Sequence, residues 1–273
     1  MRSTNHPQGI QQPTAQTTAG GEARSYARKW YRIEYIVWLL ALLVFVVVCF
    51  IVHSHPKPYP VDLSVTQTIQ HMQLPAFLMA LVVFPSIMNN PVPSEIALGI
   101  WLVGLLVLAL IAKLRHKSPL TWLQSAFFLI VTVMSSAGLN VLADDLVARP
   151  RPNPHTEPVH VAGSLVPFPT FPSGHTEHDM AYYGFLLYLS FTRPVREWRY
   201  RWFLLPFQIY AVYDILFIGY SRILEGDHWF TDVLGGYLEG AIYLFFFIFL
   251  YRLTTVWLAQ WRAKHRIRTA IAS

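Results

Sequence analysis

The chain has 273 residues, of which 54% are hydrophobic and only 13% are charged, a composition that excludes an ordinary soluble domain and predicts a membrane protein. The formal net charge of +6 is compatible with binding either nucleic acid or an anionic membrane surface, so the positions of the charges must decide between them. The single cysteine, Cys49, excludes an intrachain disulfide and a thiolate metal site.

The two ends of the chain are polar and the middle is apolar. Residues 1–30 are rich in Gln, Thr and Gly and are predicted to form a disordered cytoplasmic tail. The uncharged run from Tyr35 to Val52 is long enough to cross a bilayer core of roughly 30 Å. It is therefore predicted to be the first span of a membrane domain covering residues 31–258. Residues 259–273 are predicted to form a basic cytoplasmic tail.

The next segment, near residues 62–90, is ambiguous. Its apolar part from Leu74 to Met88 is short and contains Pro75 and Pro85. We predict a helical segment that lies in the membrane interface or re-enters it, with a seventh span as the alternative. Five further apolar runs follow, at residues 96–112, 121–143, 180–191 (extendable to His175), 202–220 and 233–253. The predicted fold is thus an all-α integral-membrane bundle of about six transmembrane helices with a motif core at residues 95–255.

The basic residues test this topology. With a cytoplasmic N-terminus, four basic clusters fall in cytoplasmic segments, near residues 24–32, 113–117, 193–201 and 262–268. The opposite face receives only Lys57, Arg149, Arg151 and Arg222. This asymmetry predicts six spans with both termini in the cytoplasm. It also argues against a nucleic-acid partner, because the basic residues act as topology determinants.

Three polar clusters lie at span boundaries on the predicted extracytoplasmic face, at residues 149–152, 172–175 and 221–232. Arginines can bind a tetrahedral oxyanion bidentately, and the free N–H groups of a helix start also favour an anion. His228 and Asp232 are four residues apart, so on a helix the carboxylate can orient the imidazole. A histidine oriented in this way can act as a nucleophile or a base.

Two of these clusters resemble the signature of the type 2 phosphatidic acid phosphatase superfamily, a resemblance that covers about residues 60–255. Pro-Ser-Gly-His occupies residues 172–175, and Ser-Arg-x5-His-x3-Asp occupies residues 221–232. The resemblance implies that His228 attacks phosphorus, that Asp232 orients it, and that His175 protonates the leaving alkoxide and then activates water. It also implies that no metal or other cofactor is needed. The residues that it implies for phosphate binding are Arg151, Ser173, Gly174 and Arg222.

The first part of that signature, Lys-x6-Arg-Pro, is incomplete. With its Arg-Pro aligned on residues 151–152, Asp144 stands at the lysine position. Our hypothesis is that Arg149 substitutes for the lysine as a further phosphate ligand and that Asp144 or Asp145 fixes its orientation. The alternative is that both aspartates are merely solvated at a helix end.

The predicted outer face is also acidic, which disfavours an anionic substrate. Besides Asp232, its acids are Asp62, Glu95, Asp144, Asp145, Glu157, Glu177, Asp179, Glu225 and Asp227. Either a divalent cation bridges acid and substrate without taking part in catalysis, or the acids are solvated and screened, which we favour.

The sequence therefore predicts a multi-pass membrane enzyme that removes phosphate from a lipid phosphomonoester or diphosphate, with the lipid phosphate and membrane lipids as its partners. Phosphatidic acid, phosphatidylglycerol phosphate and a polyprenyl diphosphate are candidate substrates. Two alternatives remain: a lipid phosphotransferase that uses the same phosphohistidine, and a non-catalytic lipid-binding relative. The motif Gly236-x-x-x-Gly240 predicts close helix packing, within the chain or in a dimer.

Overall fold

The computed structural model describes the backbone of residues 15–163 and 165–272, and the side chains of residues 32–163 and 165–263. Within these ranges the secondary structure is entirely helical, which confirms the predicted all-α fold. The helices are α1 (Ala15–Ser54), α2 (Pro60–Gln70), α3 (Ala76–Met88), α4 (Pro91–Leu114), α5 (Leu120–Val147), α6 (Gly174–Ser190), α7 (Arg193–Arg196), α8 (Leu205–Leu224) and α9 (Phe230–Ala272). A short 3-10 turn, Arg201–Leu204, precedes α8.

The chain divides into two compact units, residues 1–41 and residues 42–273, and the boundary falls within α1. In the first unit α1 begins at Ala15. In the second unit α9 continues to Ala272 and includes most of the predicted C-terminal tail. Ala, Arg and Lys occur in both tails and are good helix formers. Residues 1–14 lie outside the described range.

Five helices in the described part of the chain are long and apolar enough to cross a membrane: Arg32–Ser54, Pro91–Leu114, Leu120–Val147, Arg201–Leu224 and Phe230–Ala263. They make the chain a multi-pass membrane protein. The remaining predicted span, the fourth in chain order at residues 180–191, belongs to α6, which has only 17 residues. It packs against α5, α8 and α9, and its buried residues include Glu177 and Asp179. The fourth predicted span is thus a short central helix shielded by its neighbours.

The ambiguous segment forms two separate helices, α2 and α3. Pro75 is the N-cap of α3, and a proline at this position prevents one continuous helix. The apolar helix α3 has 13 residues and rises only about 20 Å, which is shorter than a bilayer core. A seventh span is therefore not formed here. The first helix, α2, packs against α8 and α9 and buries Asp62, Thr66 and Ile69.

Close packing of α6 on α9 brings the polar clusters together. A Cβ at Gly240 would lie 2.6 Å from the Glu177 carbonyl oxygen, and one at Gly236 would overlap with the carbonyl oxygen of Ser173. The predicted use of these glycines within the chain is confirmed. The N-terminus of α6, the start of α9 and the ends of α5 and α8 meet at one end of the bundle.

Candidate active site

Local backbone features direct the three polar clusters toward one cleft. After α5, Ala148 adopts a left-handed conformation with φ of 53° and its N–H donates to the Asp144 carbonyl at 2.8 Å, which turns the chain into Arg149. Asn140 of α5 donates to the Pro172 carbonyl at 3.3 Å and holds the loop before α6. Between α8 and α9, Gly226 has φ of 74°, and a Cβ there would overlap with the His160 carbonyl oxygen.

His228 lies at the centre of the cluster and is only 2% exposed. Its Nδ1 lies 2.9 Å from the carbonyl oxygen of Thr170 and 2.9 Å from the Thr170 hydroxyl. Its Nε2 is buried and has no hydrogen-bond partner among the described residues. Burial lowers the pKa of His228 well below its usual value, and the positive charges of Arg151 and Arg222 act in the same direction. His228 is thus a neutral imidazole with one free ring nitrogen.

Asp232 does not contact His228 directly, although the sequence predicted that it would. Its Oδ2 accepts hydrogen bonds from the Thr170 hydroxyl at 3.0 Å and from the Trp229 backbone N–H at 2.8 Å. Its Oδ1 pairs with Arg149. Thr170 therefore stands between the carboxylate and the imidazole.

Arg149 lies behind the cleft rather than in it. Its side chain has no exposed surface and lies between Asp62, at 2.6 Å, and Asp232. It also donates to the Thr231 hydroxyl at 2.7 Å. The hypothesis that Asp144 or Asp145 fixes it is wrong, because carboxylates from α2 and α9 do so. Since its guanidinium is buried among these partners, the structure does not place Arg149 with the phosphate ligands.

His175 and Arg151 line the cleft beside His228. The rings of His175 and His228 are 5.9 Å apart between centroids and meet edge to face. Arg151 donates from Nε to the Phe168 carbonyl at 3.1 Å and from Nη1 to the Asp227 carbonyl at 3.0 Å. Among the described residues, Nη2 of Arg151 has no hydrogen-bond partner, so it is available to bind an anion. The two histidines and Arg151 are therefore brought together as the sequence predicted.

Arg222 reaches the same cleft but is held by two acids. Its Nη1 lies 2.7 Å from Asp227, its Nη2 pairs with Glu225, and its buried Nε has no partner among the described residues. Glu225 also accepts a hydrogen bond from Ser86 of α3 at 2.7 Å. The favoured prediction that the outer acids are solvated is wrong for these two and for buried Asp62, because all three pair with arginines.

The start of α6 provides the remaining polar groups. The Ser173 N–H donates to the Asp232 carbonyl at 3.0 Å, and the Ser173 hydroxyl accepts from Thr176 at 3.0 Å, so Ser173 ties α6 to α9. Gly174 is the first helical residue, and a Cβ there would lie 2.7 Å from the Asn140 side-chain oxygen. The first N–H groups of a helix have no partner within it and favour an anion. Gly174 remains the better-placed phosphate ligand of the two.

Sequence reasoning missed the residues that hold the machinery from behind. Thr170 belongs to a loop without regular structure, and Asp62 lies 87 positions before its partner Arg149. Neither matches a local spacing rule. The one available signal was that Asp62 lies two residues after Pro60 in the first turn of a helix, which predicts a cap rather than an ion pair.

Comparison with known proteins agrees with this arrangement. The model of the PAP2 superfamily matches residues 125–257, which contain all three polar clusters. The chain is similar in structure to the first transmembrane PAP2 type phosphatidylglycerolphosphate phosphatase from Bacillus subtilis, with a TM-score of 0.59 and 18% identity over 78% of this chain and 94% of that one. No curated protein matches the chain significantly. The match over residues 125–257 supports membership of the PAP2 superfamily, and the chain has the fold of a transmembrane PAP2 type phosphatase.

Proposed function

We propose that the protein is a lipid phosphatase that hydrolyses a phosphomonoester or diphosphate of a lipid through a phosphohistidine on His228. The observation that carries this proposal is the free Nε2 of a neutral, buried imidazole. His175 and two arginines lie close to this imidazole. Phosphoryl transfer depends mainly on positioning and on stabilising the charge of the phosphoryl oxygens, which these groups can do.

In the first step the lone pair of His228 Nε2 attacks phosphorus, and the bond between phosphorus and the lipid oxygen breaks. Burial, together with Arg222 and Arg151, lowers the pKa of His175 to about 3 in the free protein, so its imidazolium forms only when the anionic phosphate binds beside it. That imidazolium gives its proton to the leaving oxygen. In the second step neutral His175 takes a proton from water, the hydroxide attacks phosphorus, and the P–N bond breaks to release phosphate and neutral His228. Arg151, Arg222 and the N–H groups at Gly174 stabilise the phosphoryl oxygens in both steps.

A lipid substrate is supported by the position of the cleft at one end of an apolar bundle, where a lipid tail can remain among the helices while its phosphate reaches His228. The Bacillus subtilis protein of similar fold acts on phosphatidylglycerolphosphate. The distribution of Lys and Arg supports an extracytoplasmic cleft and cytoplasmic termini.

The test is phosphate release by the purified protein from phosphatidic acid, phosphatidylglycerol phosphate and a polyprenyl diphosphate. We expect release from at least one lipid, inhibition by vanadate, activity in EDTA, and loss of activity in His228→Ala. A folded protein that releases phosphate equally well with His228→Ala contradicts the proposal. Products chromatographed with and without an acceptor lipid distinguish hydrolysis from transfer.

A further inference from the structure

Thr170 occupies the position between His228 and Asp232 where a direct hydrogen bond was expected. It is fully buried, and both of its oxygens lie 2.9 Å from His228 Nδ1. Its hydroxyl also lies 3.0 Å from Asp232 Oδ2. Thr170 thus forms hydrogen bonds to both the imidazole and the carboxylate.

The hydrogen-bond partners assign the protons. A carbonyl oxygen only accepts, so the bond to the Thr170 carbonyl requires a hydrogen on His228 Nδ1. An ionised Asp232 also only accepts, so the Thr170 hydroxyl donates to it. This arrangement keeps the hydrogen off Nε2 and leaves its lone pair for attack. Threonine is suited to this position because one residue supplies both a carbonyl and a hydroxyl.

A second buried group extends the chain of contacts to α2. Asp232 pairs with Arg149, and Arg149 pairs with Asp62, and none of the three side chains has exposed surface. Asp62 also accepts from the Thr231 N–H at 2.8 Å, the Thr231 hydroxyl at 2.9 Å and the Tyr59 N–H at 2.9 Å. A buried charge is stable only when it is paired and hydrogen-bonded. Asp62 is therefore the second partner that allows Arg149 to remain buried beside Asp232.

We propose that Thr170 and Asp62 are positioning residues for His228. Thr170 selects the reactive tautomer and couples the negative charge of Asp232 to the imidazolium that forms when Nε2 bonds to phosphorus. Asp62 lies outside residues 125–257, the part of the chain that matches the family model. It holds Arg149 in place, and Arg149 in turn holds Asp232. The inference rests on the proposed function, because it assumes attack by Nε2.

Thr170→Val removes the hydroxyl but keeps the carbonyl and the shape, whereas Thr170→Ser keeps both oxygens. A hydrogen bond in a charged network corresponds to a rate factor of about 10 to 100. We expect Thr170→Val to lower kcat and the single-turnover rate of phosphoenzyme formation by about that factor with little change in KM. Thr170→Ser should restore most of the rate. Wild-type kcat in Thr170→Val, or equal losses in the two variants, overturns the role of the hydroxyl.

Asp62→Asn removes the charge and keeps the size, and Glu95→Gln is the control because Glu95 is an exposed acid on α4. We expect a fall of about 10-fold or more in kcat for Asp62→Asn, with unchanged KM, and no change for Glu95→Gln. An unchanged kcat in Asp62→Asn overturns the role of Asp62. If that variant does not fold, Asp62→Glu, which keeps the charge, decides: wild-type-like rates support the role and a loss in KM alone contradicts it.

Different results would contradict the proposed function of His228 and the positioning roles of Thr170 and Asp62. Retained activity in His228→Ala removes the proposed function and with it the reason for positioning. Lost activity in His228→Ala together with normal kcat in Thr170→Val and Asp62→Asn leaves the function in place and overturns only this inference.

Discussion

At the scale of single residues, the protonation state of His228 links the fold to the proposed chemistry. A neutral imidazole is the nucleophilic form, and burial together with Arg151 keeps the pKa of His228 well below its usual value. The same shift connects this residue to folding. Below about pH 6.5, the usual pKa of a histidine, His228 binds a proton in the unfolded chain but not in the folded protein.

The stability contributed by neutral His228 is therefore fully present above about pH 6.5 and is lost as the pH falls below that value. At pH 5.5 this one residue is expected to cost about 1 kcal/mol of unfolding free energy relative to pH 7.5. Denaturant unfolding in detergent at both pH values measures it. The wild type should lose about 1 kcal/mol more than His228→Gln on acidification. Equal losses would mean that His228 is protonated in the folded protein.

The acids around Arg222 predict an effect on substrate affinity. Glu225 and Asp227 occupy the guanidinium, so an incoming phosphate must compete with them. Glu225→Gln removes one of these competitors. Because the Arg222–Glu225 pair is partly exposed, we expect KM to fall by about 2- to 5-fold. Steady-state kinetics should show a lower KM with similar kcat, while exposed Glu95→Gln leaves KM unchanged. A raised KM would show that Glu225 assists binding instead.

The sequence identified the two histidines and Arg151 of the cluster better than the residues that support them. His175, His228 and Arg151 lie close together. This could be predicted because each of them lies near the end of a predicted span. The roles of Thr170 and Asp62 could not be predicted from the sequence, because their partners His228 and Arg149 lie 58 and 87 positions away in the chain. Arg149 was misassigned because spacing favoured a nearby aspartate over two distant ones.

At the scale of helices, the contact of α9 with the start of α6 sets the geometry of the cleft. Because a Cβ at Gly236 would overlap with the Ser173 carbonyl, α9 can lie this close only with glycine there. The same face carries Asp232, so a shift of α9 would also move the partner of Thr170.

We therefore expect Gly236→Ala to cost about 1–3 kcal/mol of stability and to lower kcat. Gly138→Ala in α5 is the matched control, because no atom lies within 4 Å of a Cβ at that position. Alanine is a better helix former, so the control should be unchanged or slightly more stable. Thermal unfolding and phosphate release measure both effects. A Gly236→Ala variant with normal rate and stability would show that the close approach is not needed.

Helix existence was more predictable than helix length or role. The longer apolar runs became helices because their hydrophobicity leaves few other structures in a membrane. The central helix α6 was harder to interpret, since its buried polar residues weaken the apolar signal. The segment near residues 62–90 was correctly assigned as helical and too short to span, but its contribution of Asp62 depends on tertiary packing.

At the scale of the whole molecule, apolar helices carry a polar cleft at one end. We propose from the distribution of Lys and Arg that this end lies outside the cytoplasm. A substrate headgroup would then be dephosphorylated on the extracytoplasmic side.

Cysteine labelling tests this orientation. In a Cys49→Ser background, Thr156→Cys places a thiol in the exposed loop near the cleft, and Lys117→Cys places one in the loop at the opposite end. A membrane-impermeant maleimide added to intact cells or sealed vesicles of known orientation should label position 156, and position 117 only after permeabilisation. The reverse pattern would place the cleft in the cytoplasm.

The central claim is that Nε2 of His228 becomes phosphorylated. A His175→Ala variant given an aryl phosphate, whose leaving group needs no proton, should form the intermediate but hydrolyse it slowly. Alkaline quench followed by peptide mass spectrometry should then find phosphate on His228, and none when His228→Ala is added. Phosphate release that proceeds with no phosphorylated His228, or with the phosphate on another residue, would contradict the account.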